Sequence, residues 1–121
     1  VWTCSGNASR FDPATETWQR VLAGEYGGCM EDGAGTLYKA TPGGIVALDT
    51  TTLEIKATYA LPQHVHGISV DFHGYIWGVT QGTDAYRLDP KDGSFQTLTG
   101  LVGAYTYSDM TGFALSTVGV P

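Results

Sequence analysis

The sequence predicts an all-β protein built from repeated four-stranded sheets, and three observations predict it. The 121 residues include 17 glycines and only 15% charged residues, against about 25% in an average protein. This composition suits short strands joined by tight turns. No segment shows a sustained apolar period of 3.6 residues with helix caps, so we expect almost no helix. Finally, the chain repeats itself at an interval typical of repeat architectures.

Two landmarks recur three times along the chain. In the first, an apolar residue precedes an aspartate and a turn-forming residue; its aspartates, separated by 37 and 40 residues, are Asp12, Asp49 and Asp89. In the second, an aspartate lies three residues before a glycine; its aspartates are Asp32, Asp71 and Asp109. We expect these carboxylates to accept backbone hydrogen bonds in turns. Calcium would need six to eight oxygens at one point, and these aspartates lie in separate turns.

The middle of the chain defines the strands of one unit most clearly. Strands are predicted over 67–70, 75–80, 85–88 and 94–98. The second begins with the strong β-formers Tyr75, Ile76 and Trp77. The hairpin 89–93 combines a proline, which fixes φ, with a closing glycine.

Four antiparallel strands repeated about every 40 residues are typical of β-propeller blades. The chain is predicted to be one domain of three repeats, approximately 1–40, 41–80 and 81–121. A blade needs a neighbour on each side, and rings of four to eight blades are usual, so three repeats cannot close. Aligning 1–3 with 78–80 places the start of the chain in a second strand, and 113–118 is predicted to form another. We therefore expect completion by a second copy, giving about six blades, or by the rest of a larger propeller.

The blade sequence resembles a known group of propellers. Val65-His66-Gly67-Ile68-Ser69-Val70-Asp71, followed by Gly74-Tyr75-Ile76-Trp77, is similar to blades of the virginiamycin B lyase-like and NHL-type families. Arg87-Leu88-Asp89-Pro90 is similar to the end of a strand in those blades. The resemblance implies a propeller fold. In the lyases a rim histidine acts as acid or base, which would assign that role here to His64 or His66, although the accompanying carboxylate and metal set is not evident.

Ligands usually bind propellers at the rim loops around the central channel, which here include the segments 24–28, 63–67 and 102–106. The candidate ligand-binding residues near this rim are Tyr26, His64, His66, Tyr105 and Tyr107. A metal site is not expected, because a strand at about 3.3 Å per residue separates the two histidines from Asp71 and His73. No cofactor is expected. The three tryptophans and seven tyrosines could build a sugar-binding platform by stacking. Most of them fall at repeat-equivalent, core-facing positions, so blade packing is the expectation.

The two cysteines, Cys4 and Cys29, are expected at the same end of the ring. They could form a disulfide, closing a loop of about 25 residues and contributing about 3 kcal/mol. They could equally be two buried free thiols.

The net charge of −6 argues against nucleic acid and anionic membranes as partners. No apolar run approaches the roughly 18 residues of a membrane span, so no membrane insertion is expected. We expect any targeting segment to have been removed or to lie outside this sequence. The scarcity of lysine and the potential disulfide favour a secreted, cell-surface or periplasmic protein.

The sequence thus predicts a binding or assembly module rather than an enzyme. It would present rim loops to a small molecule, a glycan or a protein partner. Two alternatives remain open at this point: a fragment of a lyase or hydrolase that uses a rim histidine, and a structural repeat of a large surface protein or fibre.

Overall fold

A computed structural model describes residues 1–23 and 26–106, which form three antiparallel sheets and no helix. Sheet A contains β1 (Trp2–Thr3), β2 (Ala8–Asp12) and β3 (Thr17–Leu22) in that order. Sheet B contains β4 (Cys29–Glu31), β5 (Thr36–Thr41), β6 (Gly44–Asp49) and β7 (Ile55–Ala60). Sheet C contains β8 (Gly67–Val70), β9 (Ile76–Val79), β10 (Ala85–Leu88) and β11 (Phe95–Leu98).

The predicted all-β class is confirmed, and the strands of sheet C lie where the sequence predicts them. Strands β8 and β10 have the expected bounds, and β9 and β11 differ from expectation only by single residues at their ends. The three sheets span residues 2–22, 29–60 and 67–98. The predicted repeat 41–80 therefore contains strands of both sheet B and sheet C. The strand expected at 113–118 and the turn at Asp109 lie outside the described residues.

Sheet B is packed on both faces because successive residues of a strand point to opposite sides. On one side, Leu37 and Leu48 pack with Cys4 and Ala8 of sheet A. On the other side, a larger apolar cluster joins sheets B and C. Its buried members include Tyr38, Ile45, Ala47, Val65, Ile68, Val70, Ile76, Tyr86 and Leu88. The three sheets therefore stack face to face in chain order, as blades do.

The pairing register corrects the expected alignment of the first residues. Trp2 pairs with Arg10, whereas Trp77 pairs with Arg87, the equivalent residue of the repeat. By this register β1 is equivalent to β9, and Trp2 corresponds to Trp77 and not to Val79. The expected alignment was therefore shifted by two residues, because it matched residue types without pairing partners.

The outermost strand of each sheet is largely exposed, so Trp18 is not among the aromatic residues that face the core, as most were expected to. Trp18 pairs with Phe11, and the rings of the two residues lie 5.1 Å apart. The equivalent residues in the other outer strands, Ile55 and Phe95, are also exposed. Exposure of Trp18 thus follows from its position on the periphery of a sheet.

The repeated aspartates take the predicted turn roles. Asp32 Oδ1 accepts hydrogen bonds from the backbone N–H groups of Ala34 and Thr36, at 2.7 and 2.9 Å. Asp71 Oδ1 likewise accepts hydrogen bonds from the backbone N–H groups of His73 and Tyr75, at 2.8 and 3.0 Å. In the hairpins, a side-chain oxygen of Asp12, Asp49 or Asp89 accepts a hydrogen bond from the N–H group two residues later. Each aspartate terminates its strand by satisfying the backbone of the turn.

Candidate functional site

One end of the stacked sheets gathers the loops that enter the first strands and the turns between second and third strands. Antiparallel pairing requires this arrangement, since the chain returns to its starting end after two strands. At this end, a cleft of about 450 Å³ is lined by Tyr26, Pro42, His64, His66 and Gln81. The structure therefore brings three of the five candidate residues into one cleft between sheets B and C.

His66 is fixed by backbone hydrogen bonds to both sheets. Its N–H donates to the carbonyl of Val79 at 2.8 Å, and its carbonyl accepts from the N–H of Gly28 at 2.7 Å. Its ring stacks on Tyr105, with ring centroids 5.6 Å apart and an interplanar angle of 24°. The backbone of His66 is thus fixed between two sheets, and its imidazole lies against Tyr105.

His64 is oriented by the last residue of β5. Its Nδ1 lies 3.2 Å from the carbonyl oxygen of Thr41. Because a carbonyl only accepts hydrogen bonds, this contact assigns the proton to Nδ1. In the neutral ring, Nε2 is then an acceptor, available to a ligand hydroxyl or to a proton.

Tyr26 is 75% exposed, although its repeat equivalent, Val65, is fully buried. The difference follows from the residue on the neighbouring strand. Val65 packs against Gly78, where an added Cβ would lie 2.8 Å from Val65 Cγ1. The residue equivalent to Gly78 is Lys39, a buried side chain whose Nζ donates to the carbonyl oxygens of Gly27 and Ala40, at 3.2 and 2.9 Å. A side chain at position 39 thus excludes for Tyr26 the packing that Val65 adopts over Gly78.

Pro42 and Gln81 are cleft residues that the candidate list missed. They lie in equivalent turns, between β5 and β6 and between β9 and β10. These two residues could have been predicted from the sequence, since the predicted strand order already placed their turns at the rim. The turn of Gln81 is braced by Asp84, whose carbonyl accepts from Thr80 Oγ1 at 2.7 Å. The Asp84 carboxylate in turn accepts from Gln63 Nε2 at 2.6 Å.

Tyr105 is positioned by a loop tied to the same turn. The N–H groups of Leu101 and Ala104 donate to the carbonyls of Thr83 and Gly82, at 3.0 and 3.1 Å. These bonds bring the segment after β11 back to the cleft, where Tyr105 meets His66. The fifth candidate, Tyr107, lies outside the described residues.

Asp71 and His73 lie in the turn between β8 and β9, at the opposite end of β8 from His66. Partial burial acts to raise the pKa of Asp71, but hydrogen bonds from Trp77 Nε1 and two backbone N–H groups outweigh it, so that pKa is lowered. Within residues 1–23 and 26–106, no three His, Cys, Asp or Glu side chains are grouped to hold a metal ion.

The two cysteines form a disulfide at the same end of the molecule as the cleft. Cys4 and Cys29 are joined with a Cα–Cα distance of 5.8 Å, which lies in the normal range for such bridges. The bridge links the turn after β1 to the first residue of β4, so it covalently connects sheets A and B. The alternative of two free thiols is wrong.

No protein-family model matches the chain, and no curated protein matches it. Among solved structures, it is similar to the extracellular domain of a protein from B. thetaiotaomicron assigned as a one-component system. The TM-score is 0.64 at 16% sequence identity, and the match covers 93% of this chain and 17% of the other. At this identity the similarity concerns the fold alone. None of the described segments forms a helix long and apolar enough to cross a bilayer.

Proposed function

We propose that the chain is an extracytoplasmic binding module in which sheets A, B and C are consecutive blades of a β-propeller. The cleft between sheets B and C is its ligand site. The observation that carries this proposal is the convergence of Tyr26, His64 and His66, from loops of two sheets, on one cleft. A concave site with few polar groups is the usual form of a small-molecule site.

The burial of equivalent residues supports the propeller arrangement. Leu48 and Leu88 occupy the same position in sheets B and C, and each is almost fully buried by the preceding sheet. Phe11 occupies this position in sheet A but is only half-buried in the described part of the chain. This face of sheet A therefore has room for a preceding blade. The most extensive contacts between sheets B and C involve the first strands β4 and β8, as expected where blades converge on a central channel.

The missing blade would come from a second copy of the chain or from the remainder of a larger propeller. Light scattering of the purified chain should give a mass above 12.8 kDa. Phe11→Asp should lower that mass, because it places a charge on the face that the partner covers. Ile55→Asp is the matched control, since Ile55 is exposed on a sheet that is already packed on both faces. A compact monomer that neither variant changes would contradict assembly between copies.

Two observations support an extracytoplasmic location. The Cys4–Cys29 disulfide requires an oxidising compartment to form and persist. The similar solved structure is itself an extracellular domain.

The binding function can be tested with an unbiased small-molecule library screened by ligand-observed NMR. Binding that is lost in His66→Ala but kept in Trp18→Ala would support the cleft as the site, because Trp18 is an exposed aromatic residue of sheet A. A library without hits, or hits whose binding is unchanged in His66→Ala, would contradict the assignment of the cleft as the site. A chain that binds no compound would instead support the alternative hypothesis of a structural repeat in a surface protein or fibre.

A lyase is the second candidate function, favoured by the contact between His64 and Thr41. This contact leaves Nε2 of the neutral ring as a potential base. Incubation with a macrocyclic lactone, followed by mass spectrometry, tests this candidate. Ring opening that disappears in both His64→Ala and His66→Ala would support it, and an unaltered lactone would contradict it.

A further inference from the structure

We infer that the cleft recognises a neutral saccharide, stacked on aromatic faces and hydrogen-bonded by uncharged groups. The inference rests on the proposed binding function and deepens it by naming the ligand class. Three properties of the cleft carry it: amphipathic aromatic rings, five described lining residues without permanent charge, and backbone hydrogen bonds that fix two of its loops.

The aromatic residues at the cleft are amphipathic. Tyr26 lines it with most of its surface exposed, and Tyr105, 59% exposed, stacks on the lining residue His66. A tyrosine offers an apolar ring face together with a polar hydroxyl, which suits a ligand that has both apolar faces and hydrated polar groups. A sugar ring has this character, because its C–H groups present an apolar face and its hydroxyls project from the edge.

The polar groups that line the cleft carry no permanent charge. None of the five lining residues is a lysine, arginine, aspartate or glutamate. The chain's net charge of −6 further disfavours an anionic ligand. The described lining residues also offer no carboxylate to a cationic ligand. The lining can still form hydrogen bonds through the Gln81 amide, which donates and accepts, and through His64 Nε2, which accepts in the neutral ring. A ligand hydroxyl can form hydrogen bonds with both of these groups.

The site is preformed by backbone hydrogen bonds. His66 is bonded on both sides, to Val79 and Gly28, and the loop of Tyr105 is bonded to Thr83 and Gly82. A saccharide loses conformational freedom on binding, so a preorganised site lowers the total cost of the complex. The cleft volume, about 450 Å³, lies within the range of about 300–1,000 Å³ for small-molecule sites.

The test titrates the ¹⁵N-labelled chain with the neutral disaccharides cellobiose, maltose, xylobiose and chitobiose. Galacturonic acid and choline serve as anionic and cationic probes. We expect at least one neutral disaccharide to shift backbone resonances of residues 63–66 and 80–84. Tyr26→Ala should weaken that binding at least tenfold. Tyr26→Phe should weaken it less, since the ring face remains, and Trp18→Ala should leave it unchanged.

The outcomes separate this inference from the binding function beneath it. If only a charged probe or another compound of the unbiased library shifts the cleft resonances, the saccharide assignment is wrong and the binding function stands. If no compound shifts them, both are wrong. Equal weakening by Tyr26→Ala and Trp18→Ala would also overturn the inference, because it would show that aromatic loss anywhere has the same effect.

Discussion

The packing of Val65 over Gly78 holds the loop that carries both cleft histidines. Val65 is fully buried and lies between His64 and His66 in the sequence. A Cβ added to Gly78 would lie 2.8 Å from Val65 Cγ1 and 3.1 Å from Val65 Cβ. Carbon atoms do not approach so closely without displacement, and a close-packed interior leaves Val65 little room to move.

We therefore expect Gly78→Ala to lower the free energy of unfolding by about 1–3 kcal/mol, the usual cost of overpacking. Urea unfolding followed by tryptophan fluorescence measures this change, and Trp77 lies beside the substituted residue. Gly43→Ala is the matched control, because Gly43 lies in an exposed turn with no atom within 4 Å of an added Cβ. The control should change stability by less than about 0.5 kcal/mol.

A double variant tests the cause of the destabilisation. Val65→Ala removes both γ carbons and should itself cost about 2 kcal/mol through lost burial and the resulting cavity. In that background, Gly78→Ala should cost much less than it does alone, giving a coupling energy of at least about 1 kcal/mol. Additive costs, or a neutral Gly78→Ala, would show that Val65 and Gly78 are not tightly packed.

Three further predictions concern other parts of the molecule. Replacing Cys4 and Cys29 by serine should lower the free energy of unfolding by about 3 kcal/mol, because their bridge closes a 25-residue loop; an unchanged urea midpoint would contradict this. Burial raises the pKa of Tyr38 to about 12, above its value of about 10 in an unfolded chain. The folded state thus favours the protonated phenol, so this stabilisation is complete below about pH 10 and is lost as pH rises towards 12. Tyr38→Phe should make stability less dependent on pH over this interval, and an equally steep decline in the variant would show that other groups cause it. Gly93→Ala should cost about 1 kcal/mol, because Gly93 has a φ of 76° in a region unfavourable to side chains, and a thermal midpoint equal to that of the parent would contradict this.

The turn chemistry explains why the strands could be predicted from the sequence. Aspartate and glycine act locally, so the landmarks at Asp71 and Asp89 locate the ends of strands without knowledge of tertiary packing. The same hairpins contain a regularity that composition does not show. Glu16 and Leu53 adopt positive φ at the position of Gly93, so the loop geometry is repeated although the glycine is not.

The site was only partly predictable, because its composition depends on contacts between sheets. The rim loops followed from strand order, and they yielded Tyr26, His64 and His66. The exposure of Tyr26 was not predictable, because it requires knowing from the pairing register that Lys39 stands where Gly78 leaves room for Val65. The stacking of Tyr105 on His66 depends on a loop that returns after the last strand of sheet C, and local sequence patterns do not predict such a return.

The proposed propeller requires that sheets A, B and C are blades around one axis, completed by further polypeptide. Cryo-electron microscopy of the assembled particle tests this directly. We expect a closed ring, with another blade packed on the Phe11 face of sheet A and the cleft residues His64 and His66 at its rim. An isolated stack of three sheets, with that face of sheet A in solvent, would contradict it.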